Sequence, residues 1–152
     1  MHTPQLTTYE HALLLLNQRE HACAEIAVKL KQKGHSEEDI DNTIRQLKEL
    51  NYLNDERFAE IYVRSKANRS LGPTRIKQEL LQKGLSSDIA KNAIEEAEFD
   101  WYELAKDAKI RKFGEESTQD YKEKSKQMRH LQYRGFDYEQ IQYALSQSDR
   151  ES

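Results

Sequence analysis

A tripled local motif constrains this chain more than any other feature. Leu30-Lys31-Gln32-Lys33-Gly34, Leu80-Leu81-Gln82-Lys83-Gly84 and Leu131-Gln132-Tyr133-Arg134-Gly135 each place Leu four residues before a glycine and a cation directly before it. The glycines recur at a spacing of about 50 residues, a length typical of repeat architectures. A helix-capping residue follows two positions later, as Ser36, Ser86 and Asp137, and an apolar residue ten positions later, as Ile44, Ile94 and Leu145. The chemistry of such a motif is a helix ending in a cation, a glycine in the left-handed conformation beyond its C-terminus, and a newly capped helix.

Each repeat has room for one more helix upstream of that hinge. The spacing predicts helices over 6–17, 20–33 and 37–50, then 56–68, 73–83 and 87–98, then 101–112, 118–134 and 138–146. Asp137 with Gln140 and Asp100 with Glu103 have capping-box spacing, Ser36 with Asp39 approximates it, and Pro73 after Gly72 suits a first helical position. Phe58, Ile61, Tyr62 and Ser65 form one expected stripe, Ile76, Leu80 and Leu81 a second, and Trp101, Leu104, Ala105, Ala108 and Ile110 a third. With two Val and no Asn-Gly or Asp-Gly turn, strands have little support. The expectation is an all-α chain of three tandem three-helix units, 1–54, 55–99 and 100–152. A unit of that size is marginal alone, so neighbours should share an interface in an elongated row with scope for curvature.

Composition agrees with thin bundles. Charged residues make up 34% and apolar residues 36%, with a mean hydropathy of -1.01, too little apolar material for one thick core. The longest apolar run, Ala12 to Leu16, is five residues, far short of the ~18 a membrane span needs. Nothing resembles a charged start followed by a long apolar stretch, and the single Cys23 cannot form an internal disulfide. A cytoplasmic setting is the natural expectation.

The net charge of -3 conceals bipolar helices. Residues 57–84 hold seven cations against two acids and 106–134 nine against five, whereas 36–56 hold seven acids against two cations and 86–103 six against one. Basic helices can line a face that meets an anionic partner, either phosphates or an acidic protein surface; they can equally be solvated faces balanced by pairing with the acidic helices. Arg64, Lys66, Arg69 and Arg75 crowd the Ser70-Leu71-Gly72-Pro73 bend, which favours binding. Tyr62, Tyr102, Tyr133, Tyr138 and Tyr143 could stack on bases, although tyrosines on amphipathic helices more often pack with a wet hydroxyl.

Catalytic chemistry is not evident. His2, His11, His21, His35 and His130 show no metal-ligand spacing, and His21 and Cys23 point to different helix faces. Gly72-Pro73 lacks the glycine and lysine of a phosphate loop, Glu95, Glu96 and Glu98 read as a solvated face, and Cys23 reads as a small core residue. No enzyme, no metal and no cofactor is expected.

Two stretches resemble a known family. Tyr52-Leu53-Asn54-Asp55-Glu56-Arg57-Phe58-Ala59 and Gly72-Pro73-Thr74-Arg75-Ile76-Lys77-Gln78-Glu79-Leu80-Leu81-Gln82-Lys83-Gly84 resemble the most distinctive segments of the RecX family, bacterial regulators of the RecA recombinase. Asp100-Trp101, Lys112-Phe113-Gly114-Glu115 and Tyr133-Arg134-Gly135-Phe136 add to the likeness, which spans roughly residues 9–145. One departure is Ala22, three residues after Arg19, where the family often carries a Ser that caps the second helix. The resemblance implies a monomeric, cofactor-free protein that binds the RecA filament, lies along its groove, and inhibits recombinase, ATPase and coprotease activity by blocking growth or promoting disassembly. Single- or double-stranded DNA would be a secondary partner. Charge clustering nominates Arg64, Lys66, Arg69, Arg75, Lys77, Lys83, Lys109, Arg111 and Lys112 as contacts. The alternative is a helical module acting directly on nucleic acid, with Gly84 and the helix after Ser86 as a helix-turn-helix; Asp88, Glu95 and Glu96 against Lys91 oppose entry of that helix into a major groove.

Overall fold

Capping chemistry sets the helix boundaries of the computed structural model, which describes residues 6–146. The elements are α1 (Thr8–Gln18), α2 (Cys23–Gln32), α3 (Glu37–Glu49), α4 (Asp55–Ala67), α5 (Pro73–Gln82), α6 (Ser87–Glu96), α7 (Trp101–Phe113), α8 (Tyr121–Arg134) and α9 (Tyr138–Ser146). No strand occurs among the described residues. Ser36, Ser86, Asp100 and Asp137 each accept a first-turn amide of the following helix, and Asp137 with Gln140 closes a reciprocal box. Thr7 and Glu10 form a further box, which starts α1 two residues later than the spacing suggests. Gly34, Gly84 and Gly135 take φ of 94°, 92° and 106°, the left-handed conformation that the tripled motif requires.

Ala22 supplies no side-chain cap to α2, and carboxylates meet other amides at that helix end. Asp55, at the start of α4, accepts the Cys23 amide at 2.8 Å, while Glu25 accepts the Ala22 amide at 2.9 Å. Two carboxylates thus stand at the positive end of α2.

By contact density the chain divides into two compact units, one running to Ala59 and including Leu80–Ala90, the other formed by Glu60–Glu79 and the chain from Lys91 onward. In the first, Ala12, Ile26, Leu30, Ile40, Leu47 and Leu53 form the core of α1, α2 and α3. In the second, Ala105, Ala108, Leu131, Phe136, Ile141, Ala144 and Leu145 form the core of α7, α8 and α9. Helices α4, α5 and α6 contribute segments to both units.

The α4 stripe differs from expectation. Phe58 is buried, but Ile61 is 44% exposed and Ser65 is exposed; Ala59, Val63 and Ala67 are buried instead. Spaced at i, i+4 and i+8, these three share one helix face, a stripe that bulky apolar residues alone do not reveal. Leu81 is likewise 41% exposed, whereas Ile76 and Leu80 are fully buried.

Candidate partner-binding surface

Two contacts between successive repeats determine which cations are available. In the first compact unit, Gly84 lies so close to Ala24 that a Cβ on the glycine would collide with the alanine Cβ. Beside it, Lys83 Nζ donates to Glu25 at 3.1 Å, Arg19 donates to the same carboxylate at 3.3 Å, and Arg57 Nε donates to Glu20 at 3.1 Å. Burial pushes the Glu25 carboxyl up, but the Ala22 amide, Arg19 and Lys83 outweigh it and draw its pKa down to about 2.

The second unit repeats the contact with other residues. The Gly72 amide donates to the Arg134 carbonyl at 2.8 Å and the Thr74 amide to the Gly135 carbonyl at 3.0 Å. The C-terminal end of α8 therefore caps the N-terminus of α5, negative dipole end against positive. Cβ atoms are excluded on both sides, because one on Gly72 would enter the Gly135 peptide and one on Gly135 would enter Arg75. Arg134 donates from Nε to the Ser70 carbonyl at 3.3 Å and from Nη2 to the Arg69 carbonyl. Ser70 has φ of 65°, so the bend that these bonds hold is in the left-handed region.

These contacts occupy several of the nine candidate cations. Lys83 is paired with Glu25. Arg75 donates to Glu79 at 3.0 Å and to the Tyr133 carbonyl at 3.3 Å, with its guanidinium 5.0 Å from the Tyr133 ring centre. Lys66 lies over the Tyr62 ring, whose hydroxyl donates to Glu79 at 2.5 Å. Burial raises the Glu79 pKa, yet the Tyr62 hydroxyl and Arg75 hold it below the ordinary range. Lys109 is a correction to the charge-based reading. It is 2% exposed and its ammonium donates to the carbonyls of Gly114 and Glu116 at 2.8 and 2.9 Å, tying the end of α7 to the segment beyond it and leaving the surface without its charge. Lys77 lines a shallow depression with Pro73, Thr74, Lys91, Ile94 and Glu95, and Arg64 is exposed in the last turn of α4.

Arg69, Arg111 and Lys112 come together. With Ser70, Ala108, His130 and Arg134 they line a cleft of about 200 Å³ in the second unit. Arg111 Nη1 donates to Ser70 Oγ at 2.9 Å, and the His130 ring stands edge-on to Phe113 with centres 5.4 Å apart. Burial, then Lys112 and Arg134, lower the His130 pKa. Charge clustering along the sequence does not bring His130 and Arg134 to this place: the histidine reads there only as a metal ligand to be dismissed, and the arginine only as a helix-end cation. Their i, i+4 spacing on α8 is the available signal. Of the tyrosines, Tyr133 and Tyr138 are exposed, whereas Tyr62 and Tyr143 are half-buried and donate to Glu79 and Glu103. Among the described residues no group of three or more His, Cys, Asp or Glu side chains could hold a metal, and no helix is long and apolar enough to cross a membrane.

Comparison with known proteins matches the architecture repeat by repeat. Family models for the first, second and third three-helix domains of RecX match residues 9–47, 54–94 and 98–145. The regulatory protein RecX of Vibrio parahaemolyticus is 43% identical over 97% of this chain and 96% of its own. That of Halorhodospira halophila is 38% identical over 92% and 87%. A crystal structure of RecX from Lactobacillus salivarius superposes with a TM-score of 0.80 at 27% identity, covering 94% of this chain and 95% of that one. Three tandem three-helix domains in the same order, at these identities and coverages, place the chain in the RecX family of regulatory proteins.

Proposed function

We propose that this chain is a cytoplasmic, non-catalytic regulator that binds RecA nucleoprotein filaments and inhibits recombinase, ATPase and coprotease activity, by blocking filament growth or promoting disassembly. The observation that carries the reading is the match of all three helical domains, in order, to relatives named regulatory proteins. Tandem repeats support it physically, because a chain with several weak contacts gains from multivalency on a partner that is itself repetitive. Arg64 and Arg69 remain exposed and, among the described residues, have no side-chain hydrogen bond or ion pair. Of the nine candidates they are therefore well suited to meet an acidic surface and to set its orientation.

The test is a titration of this protein into RecA filaments on single-stranded DNA, reading ATP hydrolysis, with binding to DNA alone measured in parallel. Substoichiometric to equimolar protein should suppress hydrolysis, and Arg64→Glu with Arg69→Glu should weaken suppression while helicity is unchanged. Unaltered hydrolysis at saturating protein, alongside salt-sensitive binding to DNA alone, would replace this reading with direct action on nucleic acid.

A further inference from the structure

The cleft between α7, α8 and the bend at Ser70 combines features that surface cation clusters ordinarily lack. Arg69, Arg111, Lys112 and Arg134 carry permanent charge, His130 is titratable, and no carboxylate lines the cleft. Two guanidinium planes are already fixed by bonds to the protein, Arg111 through Ser70 Oγ and Arg134 through the carbonyls of Arg69 and Ser70. Among the described residues nothing is bonded to the side chains of Arg69 and Lys112, to Arg111 Nε and Nη2, or to Arg134 Nη1. The remaining donors of Arg111 and Arg134 are therefore oriented before any ligand arrives, which lowers the entropy lost on binding. A single carboxylate would leave most of this charge uncompensated. A phosphate spreads its charge over several oxygens and can accept from more than one guanidinium and an ammonium together.

We propose that this cleft binds a phosphate group, and that His130 takes up a proton when it is occupied. The charged groups around His130 are Lys112 and Arg111 from α7, Arg134 from its own helix, and Arg69 from the bend. All are cationic, and burial of the ring, then Lys112 and Arg134, disfavour its protonated form while the cleft is empty. A bound phosphate reverses the local field, and a protonated ring supplies a further donor. A free nucleotide and a nucleic-acid strand both present this group; the chemistry recognised is the same.

Histidine ring resonances of the full chain, followed against pH by NMR without RecA, test this separately from the filament-binding reading. Three probes are compared: inorganic phosphate, ATP, and an oligothymidylate twelve nucleotides long with unphosphorylated ends. Occupation should raise the His130 pKa by about one pH step, a tenfold gain in proton affinity. Response to phosphate and ATP but not the oligonucleotide identifies a free phosphate as the ligand; response to the oligonucleotide in competition with phosphate identifies strand phosphates. Either upholds the site. Arg69→Gln and Lys112→Gln, on exposed side chains, should each weaken binding about tenfold, and His130→Gln should bind the oligonucleotide, whose phosphodiesters do not titrate near neutrality, with the parent's pH dependence between about 5.5 and 7.5 removed; phosphate and ATP keep the dependence of their own second ionisation. The proposal is overturned if no probe moves His130, or if the Arg69→Gln, Lys112→Gln double variant responds as the parent does.

Discussion

Replacing Glu25 by Gln tests how far one carboxylate holds the first pair of repeats together. Its side chain is 14% exposed and accepts from Ala22, Arg19 and Lys83. A carboxyl drawn from 4.5 to about 2 favours the folded, ionised state by roughly 3 kcal/mol at neutral pH. Arg19 and Lys83 keep 48% and 30% of their side chains in water, and solvent screening reduces the figure to about 2 kcal/mol. For a chain of this length that lowers the melting temperature by about 4–8 °C. The folded pKa lies below the unfolded one, so the contribution is complete above pH 4.5 and is lost as pH falls toward 2. The gap between parent and Glu25→Gln in urea titrations should therefore be constant from pH 5 to 8 and close below pH 4.5. Lys83→Met in a double-mutant cycle should recover about 1 kcal/mol of coupling. A gap that persists unchanged at pH 2.5, or a variant as stable as the parent at pH 7, would refute the argument that charge at Glu25 stabilises the contact.

Other consequences follow from the same geometry. Gly34 and Gly135 share a positive φ, but a Cβ on Gly34 meets nothing within 4 Å whereas one on Gly135 meets Arg75 and Gly72. Gly34→Ala should cost about 1–2 kcal/mol from backbone strain, and Gly135→Ala about 1–3 kcal/mol more from overlap; equal costs in chemical denaturation would dissolve the distinction. Ala24→Gly should rescue part of the loss in Gly84→Ala, since the clash is with the Ala24 methyl. Burial and then Asp55 push the Cys23 thiol up to about 11, so native alkylation should run roughly 100-fold slower than in urea, and Asp55→Asn should speed it; equal native and denatured rates would count against it. Burial lowers the His21 pKa, so stability should be full above pH 6.5 and decline as pH falls below it. His21→Gln should flatten that decline in thermal melts, and an unchanged decline would show that other groups carry it.

Most helix boundaries are legible in the sequence because caps are local. Ser36, Asp100 and Asp137 act within three residues, and a window of a few residues contains the whole interaction. The α4 stripe departs from the expected one because Ala59 and Ala67 carry a weaker hydropathy signal than Ile61, yet theirs is the face that is buried. Lys109 counts among the surface cations in sequence for a similar reason. Its charge is visible there, whereas the two carbonyls that receive it depend on how the chain turns after Phe113.

The tripled motif shows where local reading stops. Glycine at 34, 84 and 135 follows from the left-handed turn in all three repeats, and the cation before it from the helix dipole. Those reasons are sufficient at Lys33 and Gly34, where the lysine is exposed and the glycine borders open space among the described residues. At 83 and 84, and at 134 and 135, the same residue types also join repeats, since the cation reaches the preceding repeat and the missing Cβ admits its backbone or methyl group. The chemistry of that reach differs, a carboxylate at Glu25 in one case and carbonyls at Arg69 and Ser70 in the other, so no residue pair repeats. Lys83 with Glu25 and Arg75 with Tyr133 are each separated by 58 residues, more than one period. Self-similarity at about 50 residues can reveal the units, but the contacts between them, though equally spaced, join unlike partners, so the pairing chemistry does not follow from the repeat. A substitution that is tolerated at Gly34 is therefore a poor guide to its counterparts, and the motif is better regarded as one turn with two different uses.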